Sequence, residues 1–477
     1  MRHIPLALTY DDVLIRPKKT SMLSRSEAIT KTKLTKKISL NIPVVTANMD
    51  TVTESKMAIA VARLGGIGII HRFMTVEENA QEIKRVKRAQ NFIIEDPYII
   101  DPFRTIKEAK EFSAEKGISG LLVANGDKKL KGVLSRRDLN LAHDDSQLVY
   151  EIMTGRDKLI VGNKNTTFDE ARELLRVNRI EKLPLVDEND CIVGLITGAD
   201  IGHLTNYPLA NTDEKGQLIV GGAIGVRGDY LERAKALVEA GADVLVIDIA
   251  HGHSEMMFNA IKKVREVVPE VELIAGNIAT AEAARDLCEW GVDAVKVGVG
   301  PGAACITRLV AGAGVPQLTA ILEAAEVAKK FGVPVIADGG IQKSADIVKA
   351  LGAGADSVMI GSLFAGTDES PGILMNRGGK KYKVYRGSAS FAVAQRRKTV
   401  NQEKKDLNEV VPEGVESIIP YKGPVDELLG QLVGGLKSGM SYTNSRTVGE
   451  LQMNTEFVQI TNAGLQESGP HDLQEVK

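Results

Sequence analysis

Eight short apolar runs, each closing on small or polar residues, recur along the chain and set what it can fold into. They are IPVVTANMD (42–50), GGIGIIH (65–71), QLIVGGAIG (217–225), DVLVIDIAHGH (243–253), VELIAGN (271–277), DAVKVGVG (293–300), VPVIADGG (333–340) and DSVMIGS (356–362). Amphipathic stretches such as DYLERAKALVEAGA, TAEAARDLCEWGV and SADIVKALGAGA lie between them. Continuous hydrophobic strands alternating with helices belong to a parallel sheet covered on both faces. Eight such units predict an α/β chain built as a (β/α)8 barrel rather than an open doubly wound sheet. A barrel of this kind gathers the polar ends of its strands at one rim. Asn48, Asp50, Asp248, His251, Asn277 and Asp338 are therefore expected to share a mouth.

The rhythm breaks between the second and third runs. Residues 118–139 (ISGLLVANGDKKLKGVLSRRDL) and 180–201 (IEKLPLVDENDCIVGLITGADI) align without a gap, an internal duplication with a period of 62 residues. The pair resembles a tandem of cystathionine-β-synthase (CBS) modules. That resemblance implies a domain for adenine or guanine nucleotides, with Asp138 and Asp200 on a ribose and Ser135 and Thr197 near phosphates. A degenerate pair that holds no ligand is the alternative. The expected organisation is thus a first part of the barrel at 1–92, a tandem CBS domain at 93–205, and a second part of the barrel at 206–477. After the eighth run, the tail from 373 onward includes the polar stretch AQRRKTVNQEKKDLNEVVPEG (394–414). No part of the tail is periodic enough to predict a core helix, and a flap over about 388–420 is expected beside the mouth.

Composition matters here for what it excludes. A formal charge of −2 gives no basic field for nucleic acid and no bias toward membranes. No run approaches the ~18 apolar residues of a membrane span, and the stretch MRHIPLALTYDDVLIRPKK has no apolar core followed by a cleavage site. The three cysteines, Cys191, Cys288 and Cys305, show no CxxC spacing and argue against a disulfide framework or a zinc site. A cytoplasmic chain is expected.

Three glycine-rich features fall at strand ends. ADGGI (337–341) and IGS (360–362) follow runs seven and eight, where barrels recurrently bind phosphate, and glycine lets backbone N–H groups approach an anion closely. They predict a phosphate monoester ligand. The third, GVGPGAACITR (298–308), presents a thiol. A single cysteine is more often a packed structural residue than a nucleophile. Cys305 differs from Cys191 and Cys288 in lying near the predicted cradle and beside Thr307, whose hydroxyl could hold a water or a proton.

The runs DDVLIRP, PVVTANMDTVTE, GGIGIIH, VIDIAHGH, AGNIATAE, VKVGVGPGAACITR, VPVIADGGI, IGSLFAGTDESPG, YRGSAS, VPEGVE and QLVGGLKSGMSY, in this order, closely resemble the inosine-monophosphate dehydrogenase / guanosine-monophosphate reductase family. The resemblance implies that Cys305 attacks C2 of the purine of IMP. Hydride then passes to NAD⁺, and water hydrolyses the covalent thioimidate to XMP with help from Thr307. It maps Asp338, Gly339, Gly340, Gly361 and Ser362 onto ribose and phosphate contacts, and Tyr385, Gly387, Ser388, Ala389 and Glu413 onto the remaining phosphate and base contacts. Asp248 and Gly298, Val299 and Gly300 match the cofactor side. The carbonyls of Gly300, Gly302 and Cys305 would line a K⁺ site completed by Glu467, Ser468 and Gly469 of a neighbouring copy, which implies a homotetramer or octamer.

The chain also departs from the family pattern. Ala303 replaces the serine that dehydrogenases place against the phosphate. Their flap carries an Arg-Tyr pair whose arginine activates water, whereas KTVNQEKKDLNE (398–409) has neither residue. Arg396 and Arg397, just upstream, are the candidates to substitute. The reductases' glutamate is also missing, its position taken by Phe391. ANMD (47–50) and HRF (71–73) lean toward the reductases. Glu413, the long flap, the TNAGLQESGPHD segment (461–472) and the CBS pair lean toward the dehydrogenases. The sequence thus favours NAD-dependent IMP dehydrogenation. NADPH-dependent GMP reduction through the same adduct comes second, and a catalytically weak nucleotide-binding regulator third.

Overall fold

The eight apolar runs supply all eight strands of one closed parallel barrel in the computed structural model, which describes residues 4–89, 93–400 and 411–470, with the side chains of residues 200, 203–205 and 397–400 excepted. The strands are β1 (Val44–Thr46), β2 (Ile67–Ile70), β3 (Val220–Ile224), β4 (Val244–Asp248), β5 (Glu272–Ile278), β6 (Ala294–Val297), β7 (Val335–Asp338) and β8 (Ser357–Ile360). They pair in sequence order, and β8 closes on β1 with Val358 opposite Val44. Strand alternation divides the apolar side chains between two cores. Val45, Ile67, Ile69, Val244, Val246, Ile274, Ala294, Ile336 and Met359 fill the barrel. Val44, Ile70, Val220, Leu245, Ile247, Val295, Val297 and Val358 pack outward under the helices.

Helices α1 (Ser55–Arg63), α2 (Val76–Ala89), α3 (Tyr230–Glu239), α4 (Glu255–Val267), α5 (Ala281–Glu289), α6 (Gln317–Ala328) and α7 (Ser344–Gly352) follow the first seven strands. The tail corrects the expectation that it holds no core helix. It carries α8 (Val425–Tyr442), whose Val425, Leu429, Leu432, Leu436 and Met440 are buried. Four glycines interrupt the helical pattern and mask it from propensity. Two of them are where α7 comes closest. A Cβ on Gly435 would stand 2.1 Å from Ser344 Oγ, and one on Gly439 would stand 2.5 Å from a Val348 methyl. Between β8 and α8 the chain makes a three-stranded antiparallel sheet from Leu374–Arg377, Lys380–Arg386 and Glu416–Pro420.

Two compact units partition the chain. One comprises Met1–Ala89, Leu209–Asn211 and Leu218–Lys477, and the other Gln90–Pro208 and Thr212–Gln217. Taken by itself, the second unit repeats at the 62-residue period. The hairpin Gly120–Ala124/Leu130–Ser135 recurs as Lys182–Val186/Ile192–Thr197. The repeat extends upstream of the aligned segments. Helix Ile106–Lys116 recurs as Phe168–Asn178, each opened by a capping box, Thr105 with Glu108 and Thr167 with Glu170. Ser135 and Asp138 form a third such box, with Ser135 Oγ donating to Asp138 Oδ2 at 2.6 Å. The Asp200 side chain lies outside the described residues. Among the described residues, no helix is long and apolar enough to cross a membrane.

Candidate active site

A cavity of about 280 Å³ opens at the C-terminal rim of the barrel. It gathers most of the residues expected there. Asp248, Gly298, Val299, Gly300, Gly302, Cys305, Thr307, Asp338, Gly339, Tyr385, Gly387, Ser388, Ala389 and Glu413 all line it, as do Asn48 and Asn277. The remaining expected residues lie elsewhere. Ala303 is exposed, and its neighbour Ala304 takes the place on the wall. Gly340 packs on Tyr10, 3.2 Å from where its Cβ would stand. Gly361 lies behind Met49 and Tyr385, and Ser362 opens a short helix beside it. Glu467, Ser468 and Gly469 are exposed at the end of helix Asn462–Glu467 and do not line this cavity. His251 is also exposed and stands outside it.

The loop after β6 carries the thiol, and a late segment of the chain clamps it. Ile306 N–H donates to Glu413 O at 2.8 Å and Val415 N–H to Ala304 O at 2.9 Å, so Cys305 lies opposite Gly414 in a short antiparallel bridge. Close approach requires glycine here, since a Cβ on Gly387 would meet Ala304 O at 2.8 Å. The clamp carries Glu413 to the cysteine. Cys305 Sγ donates to Thr307 Oγ1 at 3.3 Å, and Thr307 Oγ1 donates to Glu413 Oε2 at 2.7 Å. A nucleophile, a hydroxyl and a carboxylate thus stand in file, an arrangement that can move a proton to or from a group bonded near sulfur.

Interlocked loops make the opposite wall. Gly298 runs against the Asp338 carbonyl, 1.9 Å from the position of a Cβ, and Gly339 against Pro301, at 2.9 Å. Both take φ values that L side chains rarely adopt, +155° and +95°. Tyr385 lies across the cavity with its hydroxyl 3.8 Å from Met49 Sδ, and burial pushes its phenol up.

Beneath the floor lies a charged group that sequence reading missed. Lys296, on β6, is 1% exposed, with Nζ 2.9 Å from Asp248 Oδ2 and 2.6 Å from Asp338 Oδ2, and it also donates to Asn277 Oδ1. Burial alone would pull the ammonium down, but Asp248 and Asp338 outweigh it and hold Lys296 above the ordinary lysine range. Burial likewise works against the Asp248 carboxylate, and Lys296 outweighs it and holds Asp248 below its usual value. The signal was a lysine two residues after Ala294, on the inward parity of an otherwise apolar strand.

Asp50 is expected at the mouth and is instead buried below it, 3.2 Å from Arg386 Nε and 3.7 Å from an Arg396 guanidinium nitrogen. Arg396, a candidate to activate water, is therefore held at Asp50 and does not line the cavity. The Arg397 side chain and residues 401–410 of the expected flap lie outside the described residues. Arg72 and Phe73, from the loop after β2, stand in the cavity wall.

Comparison with known proteins agrees with this geometry. The profile of a family described as "IMP dehydrogenase / GMP reductase domain" matches residues 7–471. Inosine-5'-monophosphate dehydrogenase of Nitrosopumilus maritimus is 50% identical over 470 residues, 98% of both chains. GMP reductase of Leishmania donovani is 49% identical over 483 residues, again 98% of both. Among solved structures, a Cys-to-Ala variant of GMP reductase from Trypanosoma brucei in complex with guanosine 5'-monophosphate is similar at a TM-score of 0.94 and 48% identity, over 99% of each chain. The enzyme from the same organism in complex with guanosine 5'-triphosphate gives 0.83 and 44%, over 96% of this chain and 99% of that one.

Proposed function

The chain belongs to the IMP dehydrogenase / GMP reductase family of purine-nucleotide oxidoreductases, and within it we propose that this protein reduces GMP to IMP and ammonia with NADPH. The file from Cys305 through Thr307 to Glu413 supports the cysteine adduct common to both family reactions, and the observation that favours reduction is the position of Arg396 beside Asp50, outside the cavity wall. Sulfur adds to C2 of the purine while its proton passes through Thr307 to Glu413, and the C2 amine leaves as ammonia once that proton is returned to it along the same file. The product is a thioimidate between Cys305 and C2. A nicotinamide cofactor, when bound, supplies the hydride that replaces nitrogen at C2 and so releases the sulfur. Asp248, Gly298, Val299 and Gly300 are the residues proposed to hold it. They line the same cavity as Cys305, and Lys296 and Asn48 both bind Asp248 through Oδ2. Asp338, Gly339, Tyr385, Gly387, Ser388 and Ala389 are proposed to hold the nucleotide.

Oxidation of IMP is the reading the sequence puts first, and it forms the same adduct. It then requires a group that activates water. Arg396, one of the two candidates for that role, stands 3.7 Å from Asp50 and outside the cavity wall, which favours reduction. The dehydrogenase is favoured by Glu413, the segment 461–472 and the tandem repeat, together with the 50% identity to the Nitrosopumilus enzyme of that name. In that case Thr307 and Glu413 would serve as the base.

K⁺ on the carbonyls of Gly300, Gly302 and Cys305 remains part of the proposal. Gly302 O accepts the Cys305 N–H at 3.0 Å and retains a second lone pair for a cation. Completion of that site by Glu467, Ser468 and Gly469 of a neighbouring copy would make the enzyme a homotetramer or octamer. The tandem repeat is proposed as a CBS pair for adenine or guanine nucleotides. A cavity of about 570 Å³ within that unit is bordered by Ile93, Glu95, Lys164, Phe168, Leu185, Asp213 and Glu214, and Ser135, Asp138 and Thr197 do not line it.

The test is direct. Purified protein is mixed with GMP plus NADPH, and separately with IMP plus NAD⁺, while absorbance of the reduced cofactor is followed. Cofactor oxidation with GMP is expected. Cofactor reduction with IMP would assign the dehydrogenase, and silence in both with nucleotide still bound would leave the regulator. Cys305→Ala is expected to abolish turnover and spare nucleotide binding, and turnover surviving in that variant would exclude the covalent route.

A further inference from the structure

We infer that Lys296 is the positioning residue for ribose recognition, its buried ammonium taking one oxygen of Asp338 and one of Asp248 and leaving the other oxygen of each to ligands. The inference rests on the nucleotide reading above. The hydrogen bonds that Lys296, Asn277 and Asn48 give these two carboxylates converge on one atom of each. At Asp338, Lys296 Nζ and Asn277 Nδ2 both reach Oδ2, at 2.6 and 3.0 Å. At Asp248, Lys296 Nζ and Asn48 Nδ2 both reach Oδ2, at 2.9 and 3.0 Å. Arg72, also in the cavity wall, adds its positive charge beside Asp248. The two carboxylates remain 20% and 23% exposed and line the cavity, whereas Lys296 is 1% exposed and lies behind them.

Charge decides why an ammonium is needed. Two carboxylates that share one partner at under 3 Å stand close enough to repel strongly, and without a cation between them one takes up a proton. A protonated carboxyl donates through one oxygen, whereas a carboxylate accepts at both. A ribose diol presents two O–H donors, so it needs the ionised form held in a fixed orientation. Lys296 supplies both conditions. A buried cation is a poor way to fill a barrel layer that Ala294, Ile336 and Met359 otherwise pack with apolar groups, and a methionine there would cost less desolvation.

The experiment measures binding alone, by calorimetry on the whole protein, with GMP and with 2',3'-dideoxy-GMP. The wild type is expected to prefer GMP by roughly tenfold or more, the scale of one charge-assisted hydrogen bond. In Lys296→Met this preference falls to about threefold or less, because the hydroxyls lose an oriented acceptor. Since that change leaves two buried carboxylates unneutralised, Lys296→Met combined with Asp248→Asn is measured beside it. The combination restores the cluster's net charge and is expected to lose the preference too. An undiminished preference in either folded variant would overturn the inference. A wild type that binds both ligands equally would overturn it and leave the nucleotide site standing. A wild type that binds neither GMP nor 2',3'-dideoxy-GMP would overturn both.

Discussion

Burial separates the thiols. Cys288 sits inside α5 at 6% exposure, and burial pushes its thiol up to about 11, whereas Cys305 is half-buried at the cavity wall. Iodoacetamide at pH 8 is therefore expected to alkylate Cys305 and leave Cys288 untouched, with GMP protecting Cys305; peptide mass spectrometry reads the outcome. The same shift has a stability consequence. An unfolded thiol ionises near 9.0 while the folded one stays protonated, so the folded state binds more protons in that window. Stability is lost as pH rises from about 9 toward 11, and the fall in melting temperature over that range should be shallower in Cys288→Ala. Cys305, Thr307 and Glu413 were legible because each sits in a motif. Lys296 was not, because DAVKVGVG reads as a strand with one solvated lysine until the inward parity of residue 296 is fixed by the barrel.

Elements were read well where the apolar period is unbroken and poorly where packing demands glycine. The strands β1–β8 emerged from runs of seven to eleven residues, yet α8 escaped, because the glycines that admit α7 also depress helical propensity. In the second unit the duplicated hairpins were visible, while the matched helices upstream of them were not. Their signature is a threonine with a glutamate three residues on, at 105/108 and again at 167/170. Backbone hydrogen bonds from these threonines hold Glu108 and Glu170 below the usual glutamate range. Depressed carboxylates stabilise above their unfolded value, and that contribution disappears as pH falls through the folded one. Thr105→Ala and Thr167→Ala are each expected to lower the melting temperature of this unit by roughly 2–8 °C at neutral pH. Glu108→Gln and Glu170→Gln should flatten the acid limb of its stability curve. Calorimetric scans at several pH values check both, and a null effect at one of the two matched sites would show that the repeat is not energetically symmetric.

At the scale of the whole molecule, every residue lining the mouth cavity belongs to the barrel unit. Replacing the second unit with a short Gly/Ser linker is accordingly expected to preserve turnover and to abolish any response to nucleotides bound at the tandem repeat. The absorbance assay measures both, and lost turnover in a folded deletion would show that the unit contributes to chemistry. The closed barrel also has a consequence in time. β1 ends at Thr46, and its partner β8 begins at Ser357. A ribosome working at 5–20 residues per second completes β8 roughly 15–60 s after β1. Throughout that interval β1 exposes the edge meant for β8, and the last strand made carries a second open edge. β2 likewise stands without β3 while the whole intervening unit is synthesised. Whatever shields those edges on the nascent chain governs how much enzyme a cell recovers from each message.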